Sequence, residues 1–243
     1  MLHQNNCIFR HFLFMLPLVA CVTLTQAAIP DCVASFSFEE GQGKTAADAS
    51  SNKNHGTLIG HPEWVAGKFG KCLKLDGEKN CVVVPQDLAK TLGKTATLSC
   101  WIKTTQKGHK DFWMAPAIAG IEEPGGPNDC FWGWLDENGR MSVKAGDGAS
   151  ATTKEPICDD QWHHIVMTRN MNSGEVKIYR DGKLDAQAIS EVGEKTLPFN
   201  SLGRRENTHG VICFFQGLLD EVHIYSRVLT DAEIQGLYSS NTH

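Results

Sequence analysis

Residues 216–234 read QGLLDEVHIYSRVLTDAEI. From Leu218 to Tyr225 the side chains fall into two sets of a period-two pattern, because successive residues on a strand point to opposite faces. Leu218, Asp220, Val222 and Ile224 share one face, and Leu219, Glu221, His223 and Tyr225 share the other. That pattern puts Asp220 among apolar neighbours, where a carboxylate needs a cation or several backbone donors. Glu221, beside His223, reads as a solvated surface residue. Beyond Leu229 the period changes. Thr230 and Glu233 have capping-box spacing, and Ile234, Leu237 and Tyr238 fall on one helical face.

Working outward, short strand-like runs recur from Val33 onward: VASFSF, KCLKL, CVVVP, ATLSCWIKT, FWGWL, MSVKA, WHHIVMTRN and VKIYRDG. Gly, Asn, Asp and Pro separate them, which predicts an all-β sandwich or barrel rather than alternating strand and helix. NMNSGEVKIYRDGKL predicts two successive hairpins, turning at residues 172–174 and at Asp181-Gly182. In CLKLDGEKNC (72–81), a two-residue turn at Asp76-Gly77 would set Cys72 opposite Cys81 in a non-hydrogen-bonded pair suited to a disulfide. A longer turn shifts the register and breaks the pairing. No repeat or low-complexity linker interrupts residues 29–243, which read as one domain.

The N-terminus differs from the rest. Arg10 and His11 precede the apolar run FLFMLPLVACVTL and the small residues TQAA, the pattern of a secretory signal over residues 1–28. Within it, LVAC resembles a lipoprotein box that would acylate Cys21, and only such an anchor would bring a membrane into play. The expected location is secreted or cell envelope. Seven cysteines follow the leader without a CxxC pair, so an oxidising compartment favours disulfides over zinc. A net charge of -5, spread without blocks, excludes nucleic acid as a partner.

Several of these motifs, in their order along the chain, carry a family resemblance. FSFEEGQGKTAADASSNKNHGTL, GKCLKLDGEKNCVVVP, ATLSCWIKT, QWHHIVMTRN with SGEVKIYRDGKL, and GLLDEVHIYSRVLTDAEI together resemble the LamG-like jellyroll domain of the concanavalin A-like lectin/glucanase superfamily. The resemblance implies a two-sheet antiparallel jellyroll sandwich whose first and last strands lie side by side, with a short C-terminal helix. It also implies a module that binds carbohydrate or an extracytoplasmic protein, in many cases with structural calcium.

In DASSNKNHG (48–56), the oxygen-bearing side chains Asp48, Ser50, Asn52 and Asn54 occupy every second position, which suits a hard cation; Ile59 stands where an EF-hand loop needs its closing Glu. The resemblance adds Glu40 and Asp220 as further calcium ligands. The alternative is an Asn/Ser turn bonding its own backbone.

Glucanases of the superfamily carry an E-x-D-x-x-E run that aims its carboxylates at one bond, and no such run occurs here. Asp220 and Glu221 are adjacent, so strand alternation sends them apart. His163 and His164 diverge for the same reason and are assigned no chemistry.

The segment 106–138 is rich in Gly, Pro and aromatic residues, and a long loop on a β scaffold is where binding usually sits. Sugar rings stack on flat aromatic faces and take polar contacts from their rim. Trp113, Asp129, Trp132, Trp134 and Arg140 are therefore the candidate ligand-binding residues. Phe131, Gly133 and Leu135 alternate with Trp132 and Trp134, so one set is expected to be core. The reading is a non-catalytic, calcium-stabilised binding module. An atypical glycan-acting hydrolase and a structural envelope protein are the alternatives.

Overall fold

The computed structural model describes residues 29–210 and 212–240. The expected signal segment 1–28, with Cys21, lies outside the described residues. Among those that are described, no helix is long and apolar enough to cross a membrane.

Two sheets pack face to face. The first runs Lys183–Ile189, Glu175–Arg180, His163–Arg169, Ala96–Lys103, Gln216–Tyr225, Lys71–Asp76 and Glu63–Ala66, all antiparallel. The first strand, Cys32–Phe36, pairs with the last, Gln216–Tyr225, as expected; Cys32 lies opposite Tyr225 and Phe36 opposite Val222. One edge of that last strand is thus shared. Residues 216–219 pair with Lys71–Asp76 and residues 222–225 with Cys32–Phe36, leaving Asp220 and Glu221 at the handover.

The second sheet runs Ala151–Thr152, Met141–Ala145, Cys130–Leu135, Ala119–Glu122, Ser201–Leu202, Cys81–Val83, Gly56–Ile59 and Thr45–Ala46, with Arg204–Asn207 adding in parallel beside Ala119–Glu122. Phe36, Leu73, Leu98, Trp132, Ile165 and Val222 belong to the core between the sheets.

Both hairpins around Glu175–Arg180 form. Asp181 and Gly182 have φ of 51° and 76°, the paired positive values of a tight hairpin turn. The same Asp-Gly pair at 76–77 does something else. Gly77 has a positive φ but Asp76 does not; instead its Oδ1 accepts the N–H groups of Glu78, Lys79 and Asn80. The chain therefore crosses from one sheet to the other rather than turning back. Cys72 and Cys81 stand on strands of different sheets as free thiols, and the hairpin that would have paired them does not exist. Cys72 Sγ lies 3.6 Å from the carbonyl of Ala66.

The capping box is formed. Glu233 N–H donates to Thr230 Oγ1 at 3.3 Å, and Thr230 N–H to Glu233 Oε2 at 2.8 Å. The helix Asp231–Ser240 buries Ile234 and Leu237 against Val166, Tyr179 and Tyr225 on the outer face of the first sheet. A second short helix, Gln86–Leu92, has no counterpart in the sequence reading.

Candidate functional site

Of the expected calcium ligands, Asp48 and Asn54 meet in one loop and Glu40 bonds Ala47 beside it, whereas Asp220 bonds a different turn. Asp48 is buried, and its carboxylate accepts N–H from Ser35 (2.8 Å), Ser50 (2.8 Å) and Asn54 (2.7 Å) and the hydroxyl of Ser50 (2.7 Å). Burial opposes its ionisation, but these donors outweigh that and hold its pKa below the ordinary carboxylate value. Ser50, Asn52 and Asn54 also turn donor groups onto one acceptor, the carbonyl of Val33. Glu40 Oε1 accepts Ala47 N–H, while its Oε2 is buried and takes no hydrogen bond. A loop whose carboxylate is filled by N–H and O–H groups does not offer a cation six to eight oxygens. Among the described residues no group of three or more His, Cys, Asp or Glu is placed to hold a metal ion. The residues fit an Asx-type turn that ties the loop to the first strand. EDTA is expected to leave the melting temperature unchanged, and Asp48→Ala to lower stability by about 2–3 kcal/mol in urea unfolding; a fall in melting temperature on chelation would restore the ion.

Asp220 is elsewhere. Its Oδ2 accepts the N–H groups of Lys68 (2.9 Å) and Phe69 (3.2 Å), and its Oδ1 that of Glu221 (2.9 Å), so it pins the turn between two strands of its own sheet. The strict alternation fails here. Glu221 has φ of 47° and the pairing with Ala96–Lys103 skips a residue between Asp220 and His223, a β-bulge. Leu219, Val222 and Ile224 consequently join the core, and Asp220 lies opposite Trp101 on the other face, within a cluster where Trp101 stacks on Tyr238 and contacts Phe69 and His164. Burial pushes the Asp220 pKa up to about 7. Glu221 pairs with His223 at 3.2 Å and is no partner for Asp220 in catalysis.

The aromatic segment splits in the same way. Gly133 has φ of 77°, and the register against Met141–Ala145 shifts beside it. Trp132 and Leu135 point into the core, while Phe131 and Trp134 stand on the outer face of the second sheet under Phe112, Ala115 and Ala117. Trp132 is fully buried and its Nε1 donates to the carbonyl of Leu92 at 3.1 Å; it is a core residue, not a ligand platform. Trp134 is 8% exposed and packs beneath the segment, so it supports a surface without forming one. Arg140 closes the turn it sits in by bonding Asp136 (2.8 and 2.7 Å) and does not border the cleft that Trp113 and Asp129 share.

Trp113 and Asp129 do come together. Phe112–Met114 is a 3-10 turn that leaves Trp113 46% exposed. Phe112 meets Trp113 edge to face at 5.1 Å and Phe131 at 5.2 Å, and Lys144 Nζ lies 3.8 Å over its ring. Arg205 is fully buried and donates to the carbonyl of Ala115, fastening the segment to the sheet. Trp113 and Phe112, with Glu122, Glu123, Asp129 and Asp147, border a cleft of about 380 Å³. Asp129 is 1% exposed; burial drives its pKa up to about 7, against the N–H of Glu123 that bonds it. The sequence shows Glu122 and Glu123 ahead of a Pro-Gly-Gly turn, but nothing in it brings Asp147, two strands on, to the same place.

The two-sheet antiparallel sandwich thus carries an aromatic and carboxylate cleft on the outer face of one sheet. The chain belongs to the concanavalin A-like lectin/glucanase superfamily, whose family model matches residues 76–235. No curated protein matches it. Among solved structures it is similar to domain 4 of AbnA, a GH43 extracellular arabinanase from Geobacillus stearothermophilus, in complex with arabinotriose. That match has 21% identity and a TM-score of 0.59, covering 86% of this chain and 98% of that one. It is also similar to the binding domain of botulinum neurotoxin DC in complex with SialylT (15% identity, TM-score 0.62, 88% of this chain and 52% of that one). A third is Trypanosoma rangeli sialidase in complex with 2,3-difluorosialic acid (19% identity, TM-score 0.64, 87% of this chain and 33% of that one). This chain thus spans about half of the neurotoxin binding domain and a third of the sialidase, and the likeness is one of fold.

Proposed function

We propose that this chain is an exported, non-catalytic module that binds carbohydrate in the cleft beneath Trp113. The observation that carries the reading is Trp113 itself. A large indole left about half exposed on a well-packed β scaffold, beside carboxylates that can accept sugar hydroxyls, is the pairing of stacking face and polar rim that glycan recognition uses. The leader-like residues 1–28 and the extracellular arabinanase domain among the similar structures support an extracytoplasmic setting. Sugar-bound neighbours support carbohydrate as the partner, and a neurotoxin binding domain in complex with rat synaptotagmin II supports a protein as the second choice. Calcium plays no part in this reading.

Trp113→Ala is expected to weaken binding of any glycan found on an array by about tenfold or more, on the order of 1.4 kcal/mol, while leaving stability within about 0.5 kcal/mol of the parent. Undiminished binding after that substitution would move the site away from the cleft. Release of reducing sugar from a bound oligosaccharide, lost in Asp129→Asn, would move the reading to a hydrolase.

A further inference from the structure

The cleft carries a charge pattern that selects among sugars. Four carboxylates border it, Glu122, Glu123, Asp129 and Asp147. Glu122 is already held by Arg205, 3.7 Å away, and by Asn207; Glu123 accepts Asn128 N–H at 3.3 Å. The nearby cations are engaged as well. Lys195 bonds Glu191 (2.8 Å) and the carbonyl of Pro127 (2.6 Å), and Lys144 lies buried over the Phe112 ring. Lys144 acts on Asp129 and Asp147 at a distance but forms an ion pair with neither.

Asp129 is left half-satisfied. Its Oδ1 accepts Glu123 N–H at 2.8 Å, and its Oδ2 takes no hydrogen bond among the described residues although the side chain is almost entirely buried and lines the cleft. The oxygen without a protein donor opens only into the cleft, so a charge-assisted donor from a ligand there is the partner its poorly hydrated position favours. Asp147 stands close by on the exposed rim; Gly126, at φ of 65°, leaves it room that a Cβ would occupy. Trp113 adds a ring face that attracts cations as well as sugar planes.

We propose that the ligand is a cationic amino sugar, a de-N-acetylated hexosamine in a β-linked oligomer, with its ring on Trp113 and its ammonium donating to Asp129 Oδ2 and facing Asp147. The inference rests on the carbohydrate reading above and narrows it. An acidic sugar such as a sialic acid would meet the same carboxylates and be repelled. An N-acetylated sugar would bring a neutral amide to an oxygen that calls for a positive charge.

The test uses glucosamine and N-acetylglucosamine oligomers of equal length and linkage, titrated calorimetrically into the protein at neutral pH and low salt. The glucosamine oligomer is expected to bind at least about tenfold more tightly. Added salt should shrink that preference, and Asp129→Asn should abolish it while sparing binding of the acetylated oligomer. Asp147→Asn, on the exposed rim, should shrink the preference in the same direction and serves if Asp129→Asn fails to fold. Equal or reversed preference, with Trp113→Ala still weakening the acetylated oligomer, overturns the amine assignment and leaves the carbohydrate module standing. Binding of neither oligomer, with Trp113→Ala without effect on an array, overturns both. Stronger competition by a lysine-rich peptide than by the glucosamine oligomer overturns the sugar in favour of a basic protein segment.

Discussion

Replacing Trp132 by alanine is expected to destabilise the domain by about 3–5 kcal/mol, a large part of the stability of a domain this size. The indole is fully buried between the sheets, and its Nε1 donates to the carbonyl of Leu92 at the end of the helix Gln86–Leu92. Removing it opens a cavity and leaves that carbonyl with only the weak thiol donor of Cys130 at 3.3 Å, and both effects have the same sign. Trp132→Phe keeps most of the volume and should cost less. Urea unfolding with an unchanged m-value is the measurement, since a shift in midpoint alone reports stability. The contrast with Trp113→Ala carries the argument: two tryptophans of one aromatic region, one expected to govern folding and the other binding. A Trp132→Ala protein that folds with parental stability but no longer binds glycan would reverse those assignments.

Asp220 should make stability depend on pH in an unusual direction. A carboxyl whose folded-state pKa is raised to about 7 binds its proton more tightly folded than unfolded. Its contribution is fully present below the ordinary Asp value and is lost as pH rises through about 7. The loss is on the order of 2–4 kcal/mol. Asp129, raised to about 7 by its own burial, acts in the same sense. His164 is buried against Ser99 with a pKa pushed down to about 3. It opposes them, because stability is lost as pH falls below the ordinary histidine value and the folded protein resists the proton.

Comparison of variants isolates Asp220. Asp220→Asn keeps an acceptor for the turn at Lys68 and Phe69 but has no charge to desolvate, so it should flatten the profile between mild acid, about pH 4, and neutral pH. Asp220→Ala leaves three N–H groups without their acceptor and should cost about 2–4 kcal/mol even in mild acid. Denaturation midpoints measured across neutral pH decide the matter. An Asn variant that parallels the parent at every pH would mean that Asp220 is ionised without penalty.

What could be read from residues alone is local. The strand runs, Asp-Gly at 181–182 and the Thr230–Glu233 capping box depend on neighbours within a few positions; the runs form strands, those through Gly133 and Glu221 broken by bulges, and the turn and the cap form as expected. The choice of a sandwich over a barrel, and the adjacency of its first and last strands, came from the family resemblance that the motifs carry, and both are found. The helix Gln86–Leu92 went unread because its seven residues, introduced by Pro85, are too few to show a helical period.

The site residues depended on contacts the chain makes at long range. Trp132 and Trp134 share a face by alternation, yet the left-handed backbone at Gly133 turns one into the core and the other out. Glu221 does the same to Asp220, which meets a turn 151 residues away instead of the loop at Asp48. A bulge inserts one residue and reverses the side of everything beyond it. Whether it forms depends on the partner strands: here the edge of Gln216–Tyr225 passes from one neighbour to another at that very point. Local periodicity and turn chemistry therefore determined the all-β class, the two hairpins around Glu175–Arg180 and the helix cap. Only the tertiary pairing decided which tryptophan is core, which carboxylate is a scaffold, and that Trp113, Asp129 and Asp147 face one cleft.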